Sequence, residues 1–447
     1  MADFDAPENH FSEGESMFGI GKVAAHVARK PLIWLPAVAL AAGTGALLPL
    51  GTAAAAASPM SGSGRLTVAT TGSDSGNCQS KPCKTLGYAL TQAGPNGRIV
   101  IDPGIYPESG NANVVAPGLT GLTISSAGSA ARTVIDATGN ANGLLIEASR
   151  VTVTGLTVKN ASLEGILAEP PLNSWPAGPS TPANISRVTI ADNVVIHNDQ
   201  AYDTSLPPDS ACPSSFTDAD DCGEGIHLLG VTSSTVVGNN VSNNVGGILL
   251  SDGGFGIPVG PAAHNLIAFN YVSDNAFDCG ITLPGHDPFA VATTGPNAGQ
   301  PQPALAGVYA NQVIGNVSNG NGGAGLLDAT PYPGTGSYDN LFAGNRVRGN
   351  GNGGFTLHSH APLQDVSGIV VVGNQFGQNN LAGDPDTGVT TTTGVMLLSV
   401  AVPTSIVVAG NTIAHNTNGI AYNSEITVTG HNFFANVTNP SYTYTAP

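Results

Sequence analysis

The sequence predicts an all-β chain, a single-domain parallel β-helix in which short strands stack coil upon coil. Three observations carry this reading: paired asparagines at one spacing, β-branched runs beside each pair, and a Gly-apolar-x-apolar segment soon after. The pairs Asn193/Asn198, Asn239/Asn244, Asn270/Asn275, Asn316/Asn321, Asn345/Asn350, Asn374/Asn379 and Asn411/Asn416 all read N-x4-N. An eighth copy ends in Asn436, with His431 in the first place. The glycine segments begin at Gly225, Gly247, Gly280, Gly354 and Gly394, and the nearest copies, Gly225 and Gly247, lie 22 residues apart. A unit of that length cannot bury its own apolar face. Stacked coils can, because each strand pairs with its equivalent about 4.8 Å away. Asparagine suits the corners, since it tolerates left-handed backbone and its amide can bond to equivalents above and below. A β-propeller would need four strands and about 40 residues per blade, which this spacing does not supply.

Composition agrees with that architecture. The 447 residues hold 59 Gly and 32 Pro, which disfavour long helices, and 41% hydrophobic residues, enough for a core. Thirteen Lys+Arg against 30 Asp+Glu give a net charge of −17. Nucleic acid is excluded as a partner, because neutralising phosphates needs a cationic surface.

The chain divides into four parts. Lys22, Arg29 and Lys30 precede an apolar run from Pro31 to Leu50, and Ala55 and Ala57 form an Ala-x-Ala stop. Residues 1–57 therefore read as a signal peptide with a long n-region, cleaved near Ala57–Ser58, with an uncleaved anchor as the rival. A capping segment (58–97), the β-helix (98–438) and a C-terminal tail (439–447) follow, with no stable membrane span after cleavage. Export predicts a secreted, extracellular or periplasmic protein with paired cysteines. Cys78–Cys83 would close a small loop and Cys212–Cys222 an acidic one, leaving Cys279 as a small buried hydrophobe.

With these repeats the chain resembles the right-handed parallel β-helix proteins of the pectin-lyase-like superfamily, over about residues 98–438. A second match is Thr70-Thr-Gly-Ser-Asp-Ser-Gly-Asn-Cys, then Lys81-Pro-Cys-Lys-Thr-Leu, then Ile99-Val-Ile-Asp-Pro-Gly-Ile-Tyr-Pro-Glu108. It is similar to the opening segment of secreted members, which implies right-handed winding and a short N-terminal capping helix at about 84–93. Covering the first coil is physically required, since an open sheet edge recruits other chains. The superfamily holds lyases, hydrolases, epimerases, phage spikes and non-catalytic proteins, so the resemblance speaks to fold more than to activity.

In Gly-apolar-x-apolar, offsets +1 and +3 face the core and even offsets face outward. The outward set includes Glu169, His227, Thr282 and Thr356 as candidate substrate-binding groups, with Asp252 beside them, and His286, His358 and His360 as candidate catalytic groups. Asp278 (−2) and Asp328 (+3) are the candidate carboxylate partners, although the parity of Asp328 is inward. Insertions at 170–184, 253–264, 287–306, 329–338 and 361–367 follow this same strand, so a long groove for an extended polymer is expected. His358 and His360 share a face with His286 two coils earlier, which suits a His/carboxylate acid–base site or a metal site. Turn histidines bonded to loop backbone are the bland alternative. The 203–224 loop carries Asp218, Asp220, Asp221 and Glu224, hard oxygen donors that suit Ca²⁺, with a solvated acidic loop as the equal alternative. Asp384-Pro-Asp386 reads as a turn.

Charge then narrows the chemistry. Members of the superfamily that cleave uronate polymers often use Ca²⁺ and an Arg or Lys base. Here no Lys or Arg occurs between Arg187 and Arg346, and none follows Arg348, so an arginine-based lyase is disfavoured. The Gly-His-Gly and Arg-x-Lys of polygalacturonase-type hydrolases and the Asp-Pro-His-Asp of epimerases are absent. The leading expectation is a secreted carbohydrate-active protein that binds, and cleaves or modifies, an extracellular polysaccharide. A non-catalytic surface or adhesion module is the alternative. A periplasmic metal-handling role comes third, with only Met60 and Met396 in the mature chain.

Overall fold

The computed structural model describes residues 64–110, 113–171, 183–202, 205, 223–253, 259–400 and 404–445. They wind into a right-handed parallel β-helix whose strands form four all-parallel sheets. Each coil contributes a short strand to sheet I (such as Thr235–Val237), then sheet II (Asn240–Ser242), then sheet III (Gly246–Ser251). Five coils add a two-residue strand of sheet IV (such as Ala262–Ala263) before returning to sheet I. Apolar residues repeat at one register: Ile226, Ile248, Ile281, Leu326, Phe355 and Val395 stack along the inside of sheet III. The interior is thus one continuous column of Val, Ile, Leu and Phe. The glycine that opens each sheet III strand is needed for close approach: a Cβ on Gly247 would strike the Gly280 carbonyl and the Val272 side chain.

The stack is longer than the 98–438 span read from the repeats. Arg65–Val68 already pairs with Arg98–Ile101 in sheet I, and Asn439–Tyr444, expected as a tail, adds a strand to sheet III. The capping helix is Leu86–Gln92; the Thr85 hydroxyl accepts the Tyr88 N–H, and Leu86, Ala89 and Leu90 are buried. The buried Glu108 carboxylate accepts the Leu86 N–H at 2.7 Å, holding the helix start to the first coils. Cys78 and Cys83 form a disulfide, and Cys279 is a buried free thiol that accepts the Ala324 N–H. The signal peptide and the Cys212–Cys222 pair lie outside the described residues. No helix among the described residues is long and apolar enough to cross a membrane.

The asparagines form ladders along the corners. Between sheets I and II, Nδ2 of Asn345 donates to Asn374 Oδ1 at 2.9 Å and to the Val313 carbonyl of the preceding coil at 2.9 Å. Its Oδ1 accepts both the backbone N–H and the amide of Asn316. The same exchange runs between sheets II and III through Asn198, Asn244, Asn275, Asn321, Asn350 and Asn379. Two expectations are corrected. Between sheets I and II the left-handed residue precedes the asparagine: Gly238, Phe269, Gly315, Gly344 and Gly373 have φ from 55° to 68°. The ladder asparagine itself must point inward to reach its neighbours, so the strained position falls one residue earlier, where glycine is cheap. In the eighth copy the rung is Asn432, which receives the Asn411 N–H and amide, and Asn436 lies in the position of His415. A third ladder, Asn265–Asn311–Asn340, turns sheet IV into sheet I. Its signal was available, since each member stands five residues before a first-place asparagine.

Candidate functional site

The site lies where sheet III ends and its long loops leave. The described parts of these loops stack on one another: Val291 N–H donates to the Gly334 carbonyl, and Gly334 N–H donates to the Leu363 carbonyl. Their wall covers more than a groove should. His227, Thr282, Thr356 and Glu169 face outward as the strand parity requires, yet all four are buried. Leu167, Leu229 and Val259 pack over the outer face at one end, and Val389, Met396, Leu398 and Tyr444 at the other. The expected open strand face is therefore largely closed, because apolar residues recur on its outer side too and recruit covering segments.

Four histidines on this edge, His227, His286, His358 and His360, lie beside acids in three centres. His227 Nε2 lies 2.8 Å from Ser251 Oγ and its Nδ1 lies 3.4 Å from Glu164 Oε1. Glu164 Oε2 in turn accepts the backbone N–H of Glu224, a residue expected as a metal ligand and found buried at the head of its strand. Asp218, Asp220 and Asp221 lie outside the described residues. Burial pushes the neighbouring Glu169 carboxyl up to about 7, against the pull of His227.

One coil further along, Asp252 is fully buried and accepts the His286 N–H at 2.7 Å and the Gly307 N–H at 2.6 Å. It fastens both ends of the 287–306 loop, so it is a structural carboxylate where a substrate contact was expected. Burial above all, with the charge of Asp287 nearby, pushes Asp252 up to about 7 against His286. Burial likewise raises Asp287 to about 6, and only its Oδ1 is engaged, by the Phe289 N–H at 3.0 Å.

The third centre is the tightest. His358 Nε2 donates to Asp384 Oδ2 at 3.0 Å, and His358 Nδ1 lies 3.3 Å from Asp386 Oδ2. His360 Nε2 approaches that same Asp386 oxygen at 3.8 Å. Asp384 Oδ1 accepts the backbone N–H groups of Asp386 and Thr387, so the turn read from Asp-Pro-Asp is real but is also the carboxylate source. Burial works to raise the Asp384 carboxyl, but the His358 hydrogen bond and charge overcome it and hold it below the usual range. Burial and the neighbouring His358 hold the His360 imidazole below its ordinary value.

The two carboxylates expected to serve these histidines do not. Asp328 occupies the inward row between Leu283 and Leu357, fully buried, with its Oδ2 accepting the Asn340 amide at 3.0 Å. Burial pushes it up to about 8. Strand parity at +3 was the correct guide, and the residue belongs to the core. Asp278 stands at the corner between sheets II and III, where its Oδ1 accepts the Cys279 N–H and its charge acts on Tyr202 and Cys279. Asp384 and Asp386 were missed because they enter sheet III from its opposite end. Their signal was the interval before Gly394: Gly354 follows Asn350 closely, whereas residues 380–393 intervene between Asn379 and Gly394. No Lys or Arg lies on a described strand of sheet III, and Arg346 and Arg348 are exposed on sheet II.

Fold and edge together define a right-handed parallel β-helix with histidine–carboxylate centres on one sheet. No family model and no curated protein sequence matches the chain. Among solved structures it is similar to the A-module of mannuronan C-5 epimerase AlgE4 from Azotobacter vinelandii, with 14% identity over 78% of this chain and 91% of that one and a TM-score of 0.45. It is also similar to an alginate lyase from Paenibacillus sp. str. FPU-7 (14% identity, 86% and 98% covered, TM-score 0.39). A third is pectate lyase Pel9A (15% identity, 70% and 80% covered, TM-score 0.34). The fold rests on the chain's own parallel sheets and the site on its own residues.

Proposed function

We propose that this protein is an exported carbohydrate-active β-helix that binds an extracellular polysaccharide along the loop-lined edge of sheet III and acts on it by proton transfer. The observation that carries this reading is the placing of His227, His286 and His358 beside acids on coils of one sheet edge. Paired groups with separated affinities for protons are what acid–base catalysis requires. Asp287 is the proposed general acid, since burial raises its carboxyl to about 6 and one of its oxygens is unengaged by the backbone. Phe289 and Tyr332 are exposed on adjacent loops and offer ring faces to a sugar. The acids and the lack of cations on sheet III favour a neutral glycan, and an acidic one would need Ca²⁺, for which the 203–224 loop is the proposed site.

The test is incubation of purified protein with neutral and acidic polysaccharides, mannuronan, alginate and pectate included, with and without Ca²⁺. New reducing ends, unsaturated products or altered sugar configuration are expected for one of them. Retained binding with no product would sink the catalytic reading and leave a glycan-binding module. The burial of His227, which keeps its imidazole from a substrate proton, is the observation that favours this second reading.

A further inference from the structure

The donor set at the third centre goes beyond proton transfer. We propose that His358 Nδ1, His360 Nε2 and Asp386 Oδ2 form a three-ligand site for a divalent transition-metal ion of the zinc class. The assignment stands on these side chains and is independent of whether the edge takes a glycan.

Four features point to it. The candidate ligand atoms of the three residues all lie within 4.8 Å of one another. Zinc holds imidazole nitrogen and carboxylate oxygen at about 2.0–2.2 Å, which places tetrahedral ligands about 3.3 Å apart. The His358 Nδ1 to Asp386 Oδ2 distance is 3.3 Å, and the His360 Nε2 distance of 3.8 Å needs only a small rotation of an exposed side chain.

The hydrogen bonding supplies the second argument. The Nε2–H of His358 goes to Asp384, which leaves Nδ1 as the ring nitrogen that faces Asp386 Oδ2. A divalent cation bound there would take the place of any proton on Nδ1 and draw in His360, which approaches the same oxygen.

Third, Asp384 is the outer partner that metal-binding histidines usually possess. It is buried, fixed by the Asp386 and Thr387 N–H groups, and bonded to the ring nitrogen that faces away from the site. Fourth, the side chains of His360 and Asp386 are 35% and 47% exposed, so an ion could enter and keep an open position for water or substrate. Two nitrogen donors in three select against Ca²⁺ and Mg²⁺, which take oxygen.

Isothermal titration of the EDTA-treated full chain with Zn²⁺ tests the proposal, with Co²⁺ absorption as a report on geometry. One ion per chain is expected, at micromolar Kd or tighter, undisturbed by excess Ca²⁺ or Mg²⁺. His360→Ala and Asp386→Asn, both at exposed side chains, should weaken binding at least 100-fold while circular dichroism is unchanged. Asp384→Asn should weaken it about 10–100-fold. Zn²⁺ should raise the Tm of the parent protein and not that of Asp386→Asn. Absence of saturable binding, or binding that the His360 and Asp386 variants leave intact, would overturn the assignment.

Discussion

His358 and Asp384 meet at 3.0 Å although 26 residues separate them, because the loop carrying Asp384 enters sheet III from the end opposite the one where the strand bearing His358 leaves. The bond therefore ties the covering segment to the sheet. Thr387, which donates to Met396 Sδ, and Val389, packed against Met396, complete the attachment.

Asp384→Asn should loosen this segment without unwinding the coils. A charge-assisted bond of this kind contributes about 1–3 kcal/mol. Hydrogen exchange of the Asp384 N–H, which is bonded to the Val389 carbonyl, should accelerate while the Phe355–Ser359 strand stays protected. Unchanged exchange would show that the Met396 contacts alone hold the segment.

The ladders predict a gradient of cost along the stack. Asn345→Ala removes partners from Asn316, Asn374 and the Val313 carbonyl in a dry corner, and should cost about 2–4 kcal/mol. Asn432→Ala, at the partly exposed last rung, should cost about 1 kcal/mol, since water can replace the lost amide. Equal losses in urea unfolding would contradict a cooperative ladder.

Asp328 provides a pH test with a definite sign. Its folded pKa of about 8 lies above the usual carboxylate value of about 4, so the folded chain holds a proton that the unfolded chain releases. Its contribution to stability is complete below about pH 4, declines as pH rises, and is lost once pH passes about 8. Asp328→Leu restores the residue found at Leu283 and Leu357, and should stabilise the protein at pH 8 by about 1–3 kcal/mol while flattening this slope. Equal destabilisation at pH 5 and pH 8 would show that the bond to Asn340 outweighs the burial of charge.

Asp287 bears on activity. On whichever polysaccharide proves to be turned over, kcat should fall as pH rises through about 6, where the general acid loses its proton. Asp287→Asn keeps an acceptor for the Phe289 N–H and should lower kcat by about 10²–10⁴-fold with little change in Tm. A variant with unchanged kcat would remove Asp287 from the mechanism.

Much of the architecture was legible because a stacked coil repeats its constraints. The same asparagine spacing recurs wherever a corner must satisfy its backbone, and Gly247 and its equivalents recur wherever coils touch. His358 and His360 were also legible as neighbours, since residues two apart on a strand share a side. The partner of His358 was not, because a loop's destination has no period. Asp328 was misassigned for a related reason: proximity along the chain to a polar edge outweighed its inward parity.

By itself the sequence determined the β-helix, its direction of stacking, the bonded corners and the scarcity of cation on sheet III, all consequences of local periodicity and composition. Only the tertiary structure decided which acids face which histidines and that the outer face of sheet III is covered. Those depend on where the covering loops come to rest, and burial, which sets both the packing and the proton affinities of Asp252, Asp287 and Glu169, exists only once the loops are in place.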